Sequence, residues 1–64
     1  MQGKATHYVV MTQAAGAPSK EVGVYTGRDK AKREADLAHY REPEKDWWVE
    51  ARTVIWHHEG DPQP

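Results

Sequence analysis

The chain has 64 residues, of which 38% are hydrophobic and 30% are charged, and nine Lys and Arg against ten Asp and Glu give a formal net charge of −1. A chain of this length forms one small domain and buries only about 60% of the surface that its unfolded form exposes. Because it contains no cysteine, disulfides and thiolate zinc sites are excluded, and we expect a reducing, cytoplasmic compartment. The near-neutral charge provides no global attraction for nucleic acid or for an anionic membrane.

No stretch of the sequence approaches the roughly 20 apolar residues that a membrane span requires. The N-terminus also lacks the basic region and hydrophobic block of an export signal, so we expect a protein that is neither inserted nor exported. Three Trp and three Tyr argue against a disordered chain. The sequence predicts a single domain over residues 1–64, ordered from about 5 to 58, with a flexible tail over 59–64.

Two β-strands joined by a loop are predicted in the first 26 residues. Residues 6–13 are rich in β-branched and aromatic side chains and lack a helical period, which is typical of a strand. Residues 14–20 collect Gly, Pro and Ser, and we interpret them as a hairpin loop. Strand two follows over residues 21–26, with Val22 and Val24 on one face.

A helix is predicted over residues 27–41. Thr26 is placed to cap it, with Asp29 three residues later as in a capping box, and the residue before Pro43 is disfavoured in helical geometry. The small residues of the helix fall on one narrow stripe, which consists of Ala31, Ala35 and Ala38. A stripe of this kind predicts close packing on a sheet.

The third strand, predicted over residues 47–57, contains all three tryptophans. Its odd-numbered residues are predicted to face the core and its even-numbered residues the opposite side. The order strand, strand, helix, strand favours an α+β fold, ββαβ, in which a three-stranded antiparallel sheet of order 2-1-3 carries the helix on one face. Periodicity leaves open whether Leu37 and Tyr40 complete the core.

Protein association is the function that the sequence favours. One sheet face is left bare in the predicted fold, and an aromatic patch outside the core typically marks an interaction surface. Trp and Arg carry much of the binding energy of protein interfaces, and the candidates are Trp48, Arg52, Val54 and Trp56. Two copies could bury these faces, or strand three could pair with its twin edge to edge, so we expect a homodimer. The competing interpretation is that the tryptophans only pack within the monomer.

A small RNA- or DNA-binding protein is the alternative. Single-stranded RNA binders stack bases on sheet aromatics, and four cations lie in the first helical turns, namely Arg28, Lys30, Lys32 and Arg33. Acidic residues stand four positions from three of these cations, as in the pair Lys32 and Asp36. A solvated helix with surface ion pairs is therefore favoured over a phosphate-binding surface.

Neither catalysis nor metal binding is indicated. The chain has no recognised nucleophile motif, phosphate-binding glycine loop or HExxH, and a domain this small rarely encloses a catalytic pocket. His57 and His58 would point to opposite faces of a strand, so solvated histidines are favoured over metal ligands. We therefore predict a non-enzymatic protein without a metal or other cofactor.

The segment VGVYTGRDKAKREAD, residues 22–36, resembles the strand-to-helix joint of many small proteins encoded by phages and actinobacteria. It is also similar to the half-repeat of the SPOR peptidoglycan-binding domain, which carries two such units where this chain has one. The phage likeness implies a cytoplasmic accessory protein, in the host cytoplasm if phage-encoded, that acts on a host protein or on a second copy of itself. The resemblance assigns no functional residue.

Overall fold

The structure, a computed structural model, describes residues 2–57, and the side chains of residues 3–55. The elements in chain order are β1 (Gln2–Gln13), β2 (Lys20–Tyr25), α1 (Arg28–Arg41) and β3 (Asp46–His57). The strands form an antiparallel sheet in the order β2-β1-β3, with α1 packed on one face. The predicted α+β fold and sheet order are confirmed, while the tail predicted over residues 59–64 lies outside the described residues.

The start of β1 and the helix cap differ from the sequence prediction, while the other element boundaries agree to within one residue. β1 begins at Gln2 rather than at residue 6, because its first residues pair with the end of β3; their own composition carries no strand signal. The helix cap is Gly27, in an extended conformation with no side-chain hydrogen bond, so the prediction of a cap at Thr26 is wrong. Asp29 nevertheless lies in the first turn, where its negative charge complements the helix dipole.

The connection between β1 and β2 is a tight turn, as predicted for a hairpin. The amide of Ala17 donates to the carbonyl of Ala14 at 3.0 Å. Gly16, the third residue of this turn, has φ 77°, a value that a type II turn requires at that position and that glycine adopts without steric strain. The turn brings β2 back along β1 in antiparallel register.

The core lies between α1 and the sheet. The predicted alanine stripe is confirmed, since Ala31, Ala35 and Ala38 are the buried residues of the helix. Ala31 and Ala35 pack with Val10 at the centre, and larger side chains close the margins: Tyr8, Tyr25, Trp47 and Val49. Because alanine has almost no side chain, the helix axis can approach the sheet closely. The open question on the helix is also answered, as Leu37 and Tyr40 are exposed.

The end of α1 is tied to the start of β3 by hydrogen bonds. The indole N–H of Trp47 donates to the carbonyl of Glu42 at 3.0 Å, while the amide of Glu42 donates to the carbonyl of Ala38 at 2.8 Å. The hydroxyl of Thr12 donates to the carbonyl of Asp46 at 3.0 Å. The two bonds at Glu42 satisfy backbone groups at the helix end, and the bond from Thr12 fixes the point at which β3 enters the sheet.

One half of the β1–β3 pairing extends beyond the other elements. β3 pairs with β1 from Gln13 opposite Asp46 to Gln2 opposite His57, whereas β2 pairs only with residues 8–12 of β1. A 14-residue helix is about 21 Å long and a 12-residue strand about 40 Å, so α1 cannot cover the whole ladder. We call the uncovered ribbon, residues 2–7 with 52–57, the arm.

The arm corrects the prediction that the odd-numbered residues of β3 form a core face along its full length. Trp47 and Val49 do pack on the core, but Ala51, Thr53 and Ile55 are exposed, Ile55 by 61%. The periodicity assigns each side chain to the correct face. It carries no information about where the helix above that face ends.

Overpacking the alanine stripe tests the close approach of α1. Ala31 is fully buried, so we expect Ala31→Leu to lower the free energy of unfolding by about 1–3 kcal/mol because the added atoms force the helix outward. Lys30→Leu, at the exposed neighbouring position, is the control and should change it by less than about 0.5 kcal/mol. Urea unfolding followed by circular dichroism measures both; equal effects would contradict the packing described.

Candidate protein-binding site on strand β3

The sheet face away from α1 carries the even-numbered residues of β3, as predicted. Trp48, Arg52 and Val54 lie there, together with Val9 and Met11 of the central strand, which the register places beside them. Val9 and Met11 are only 2% and 5% exposed. This face is therefore not bare, because neighbouring side chains of the chain itself cover its centre.

Four side chains form the covering layer, which we call the Arg52 network: Glu21, Trp48, Glu50 and Arg52. The guanidinium of Arg52 bonds the carboxylate of Glu21 on the opposite edge of the sheet and that of Glu50 at 3.2 Å. The indole N–H of Trp48 donates to the second oxygen of Glu50 at 2.9 Å. Arg52 also lies 3.8 Å from the sulfur of Met11, so it spans the central strand and shields it from solvent.

A β-bulge places Glu21 within reach of this network. The β1–β2 register runs from Val10 opposite Gly23 to Met11 opposite Glu21, which leaves Val22 as the extra residue. A one-residue change of register moves a side chain to the other face of a sheet. Without the bulge Glu21 would lie on the α1 face, so the bulge brings its carboxylate to the same face as Arg52.

The electrostatics of the network follow from these hydrogen bonds. The Trp48 indole and the Arg52 guanidinium both donate to Glu50, and together they lower the pKa of its carboxyl below the ordinary value. The carboxylates of Glu21 and Glu50 raise the pKa of Arg52 in turn. The charged side chains remain 41–49% exposed, so solvent screens these pairs. Their main effect is to fix side-chain positions on the sheet surface.

β3 presents one complete strand edge. Its other edge is paired with β1 without interruption, while no strand within residues 2–57 pairs with this one. The strand contains no Pro, Lys or bulge, which are features that natural proteins use to block edge pairing. Val54, on the arm, is 46% exposed. The backbone of Trp56 pairs with Gly3, but the side chain of Trp56 lies outside the described part of the chain.

A groove of about 560 Å³ lies between α1 and β3. Its sheet side is formed by Tyr8, Trp47, Trp48, Val49 and Ala51, and its helix side by Arg28, Lys32, Ala35 and Asp36. The groove therefore joins apolar and aromatic surface from the sheet to two cations and one carboxylate from the helix.

Two of the four cations of the nucleic-acid alternative border the groove, and the other two do not. Arg28 and Lys32 border the groove, with Lys32 3.7 Å from the carboxylate of Asp36, and Lys30 and Arg33 are exposed on the helix. Trp48 also borders the groove, and its indole N–H bonds Glu50 of the Arg52 network on the other sheet face. Tyr8 and Trp47 line the groove beside Arg28 and Lys32, and the exposed Tyr40 lies with Lys32 and Arg33 on the helix.

Sequence reasoning also missed the acidic partners of Arg52. Glu50 shares the even-numbered face of β3, so its contact with Arg52 could have been read from strand alternation. The position of Glu21 depends on the bulge at Val22, and the sequence signal for that bulge is the neighbouring Gly23 inside the strand pattern. Among the side chains that the structure describes, no three His, Asp or Glu are grouped to hold a metal ion, and His57 and His58 fall outside that set.

Comparisons with protein-family models, curated proteins and solved structures gave no significant match. No helix in the described ranges is long and apolar enough to cross a membrane. The candidate site therefore rests on the geometry of β3 and on the chemistry of its side chains.

Acid titration tests the Arg52 network. A carboxyl whose pKa is lowered by folding stabilises the folded state above its unfolded pKa, near 4.5, and this contribution is lost as the pH falls through the folded pKa. We expect Glu50→Gln to be less stable than the wild type at pH 7, and the difference in melting temperature to shrink steadily from pH 5 downward. Glu44→Gln, outside the network, is the control. If the difference in melting temperature between Glu50→Gln and the wild type does not change with pH, the charged contact is ruled out.

Proposed function

We propose that the protein is a non-enzymatic accessory protein that works by protein association, with β3 as its binding element. The observation that supports this most is the outer edge of β3, a 12-residue strand whose outward N–H and C=O groups pair with no strand within residues 2–57. Unpaired N–H and C=O groups on such an edge are a template for a strand of another chain. The partner is a second copy of this chain, a host protein, or each in turn.

The side chains around this edge are suited to binding. The Arg52 network holds Trp48 and Arg52 in defined positions through hydrogen bonds, so less conformational entropy is lost when a partner covers them. Val54 adds exposed apolar surface on the same face. Trp and Arg are among the side chains that most often carry the binding energy of interfaces. Trp56, which the sequence also predicts as a contact residue, is part of this proposal.

A cytoplasmic location and a phage-type origin belong to this proposal. The cysteine-free composition suits a reducing compartment, and the strand-to-helix joint resembles that of small phage proteins. A small domain with a thin core gains stability from association, which is a further physical reason for a binding partner.

Val54→Glu tests the role of the sheet surface in association. We expect self-association to weaken at least about tenfold, since the new carboxylate would have to be buried without a partner. Leu37→Glu is the matched control, because Leu37 is 48% exposed and Val54 is 46% exposed, but Leu37 lies on the helix. Sedimentation velocity over a concentration series compares both with the wild type. If the two variants behave alike, β3 is not the binding element.

The alternative, binding of single-stranded nucleic acid, is supported by one feature of the groove. Arg28 and Lys32 border it opposite Tyr8 and Trp47, which joins phosphate-binding charge to surfaces on which bases stack. If this function operates, the protein will be retained on heparin at low salt, and Arg28→Glu with Lys32→Glu will abolish retention. Lys30→Glu with Arg33→Glu, which alters the same charge away from the groove, should reduce it less. Elution of the wild type at the lowest salt would exclude this alternative.

A further inference from the structure

We propose that a second copy of this chain occupies the free edge of β3, in an antiparallel register with Ala51 of each copy opposite the other on a two-fold axis. This inference rests on the proposed function and specifies its partner and geometry. The product is a six-stranded sheet of order 2-1-3-3-1-2 with both helices on the same face. A closed two-fold contact of this kind uses the same surface on both subunits and leaves no free β3 edge.

The charges of β3 select this register. With Ala51 on the axis, Glu50 lies directly opposite Arg52 of the second copy, and the symmetry repeats the pair. Directly opposite charges of unlike sign stabilise a strand pair, and like charges destabilise it. A register centred on Glu50 sets two carboxylates against each other, and one centred on Arg52 sets two guanidinium groups against each other. A change of register by one residue separates Glu50 from Arg52 of the second copy. It also exchanges the two faces of the second sheet, so that the helices lie on opposite faces.

The apolar side chains match in the same register. Trp48 lies opposite Val54 of the second copy and Trp47 opposite Ile55, each pair on one face of the joined sheet. In a single chain Val54 is 46% and Ile55 61% exposed, which is high for aliphatic residues on a strand. The register places each of them beside an indole, and aromatic with β-branched residues is a favourable cross-strand combination.

The proposed register also supports the arm. In one chain the arm is a two-stranded ribbon, and such ribbons are marginally stable in water. The second copy lays its Asp46–Glu50 end along residues 52–56, which gives the arm a third strand. Ile55 of the second copy then lies next to Trp47, at the open side of the groove between α1 and β3. The exposed end of each chain is thus covered by the well-packed end of the other.

Cysteine cross-linking tests the register, since the natural chain has no cysteine. Residues directly opposite in an antiparallel pair have Cα atoms about 4.5–5.5 Å apart, within the range of about 4.4–6.8 Å that a disulfide spans. Ala51→Cys should therefore form a covalent dimer under mild oxidation. Thr53→Cys is the matched control, exposed on the same face but displaced from its own copy by four residues, about 13 Å along the strand.

The outcomes separate this inference from the proposed function. Rapid cross-linking of Ala51→Cys without cross-linking of Thr53→Cys supports the register. Preferential linking of Thr53→Cys, or a dimer in sedimentation in which neither variant links, overturns the register and leaves self-association intact. A wild type that sediments as a monomer at every concentration overturns the homodimer altogether, and a host protein is then the remaining partner for the free edge.

Charge variants give a second measurement that does not depend on disulfide geometry. Glu50→Arg places two guanidinium groups opposite each other in a homodimer, and Arg52→Glu places two carboxylates opposite each other, so each variant alone should dimerise at least about tenfold more weakly. Mixing the two restores opposite charges in both pairs, and heterodimers should form. Circular dichroism checks that each variant is folded. A mixture that associates no better than its separate components overturns the proposed register.

Discussion

The antiparallel ladder between β1 and β3 is the interaction on which the rest of this small fold depends. It joins the two longest strands along their full length, whereas β2 and α1 are both shorter than the sheet that they adjoin. The protein therefore has a packed end, where three strands and a helix meet, and an arm in which only two strands are paired. The described residues span 50 × 26 × 12 Å, so the molecule is elongated and about two layers thick.

The second sheet face shows how a chain with few apolar residues can cover a central strand without a second layer. Arg52 extends across the sheet between Glu50 and Glu21, and its guanidinium lies 3.8 Å from the sulfur of Met11. Long charged side chains can cover apolar surface with their methylene groups while the charged end stays in water. The carboxylates fix the position of Arg52, and Trp48 completes the layer. The same layer gives the face a defined shape for recognition.

The sequence predicts much of this architecture because local signals and global fold agree. The alternation of residues 47–57 separates the two faces of β3 correctly, and the alanine spacing identifies the buried stripe of the helix. What the sequence could not predict depends on the relative lengths of elements and on register. The exposure of Ile55 follows from where α1 ends in space. The position of Glu21 follows from a bulge at Val22, where the adjacent Gly23 indicates an irregularity but not the resulting register.

For the same reason, the sequence predicts only part of the candidate site. Trp48, Arg52 and Val54 could be assigned to one face from strand periodicity alone. Periodicity does not show that two carboxylates of the same chain bind Arg52, because this contact depends on how the strands pair. It also does not show that Arg28 and Lys32 lie near Tyr8 and Trp47, because this depends on how α1 packs on the sheet. Strand alternation locates residues on a face; it does not show which of them already have partners.

The pairing of Gln2 with His57 has a consequence for biosynthesis. The central strand β1 is synthesised before β2 and α1, and the strand that it pairs with along its full length is synthesised after them, so the ladder cannot close until β3 has left the ribosome. A nascent chain can form the β1–β2 hairpin early. The other edge of β1, which pairs with β3 in the folded protein, stays unpaired until β3 is available. Contacts between such distant parts of a chain slow folding, and an open strand edge in the meantime is exposed to other chains emerging nearby. Two copies translated side by side would meet each other in that interval.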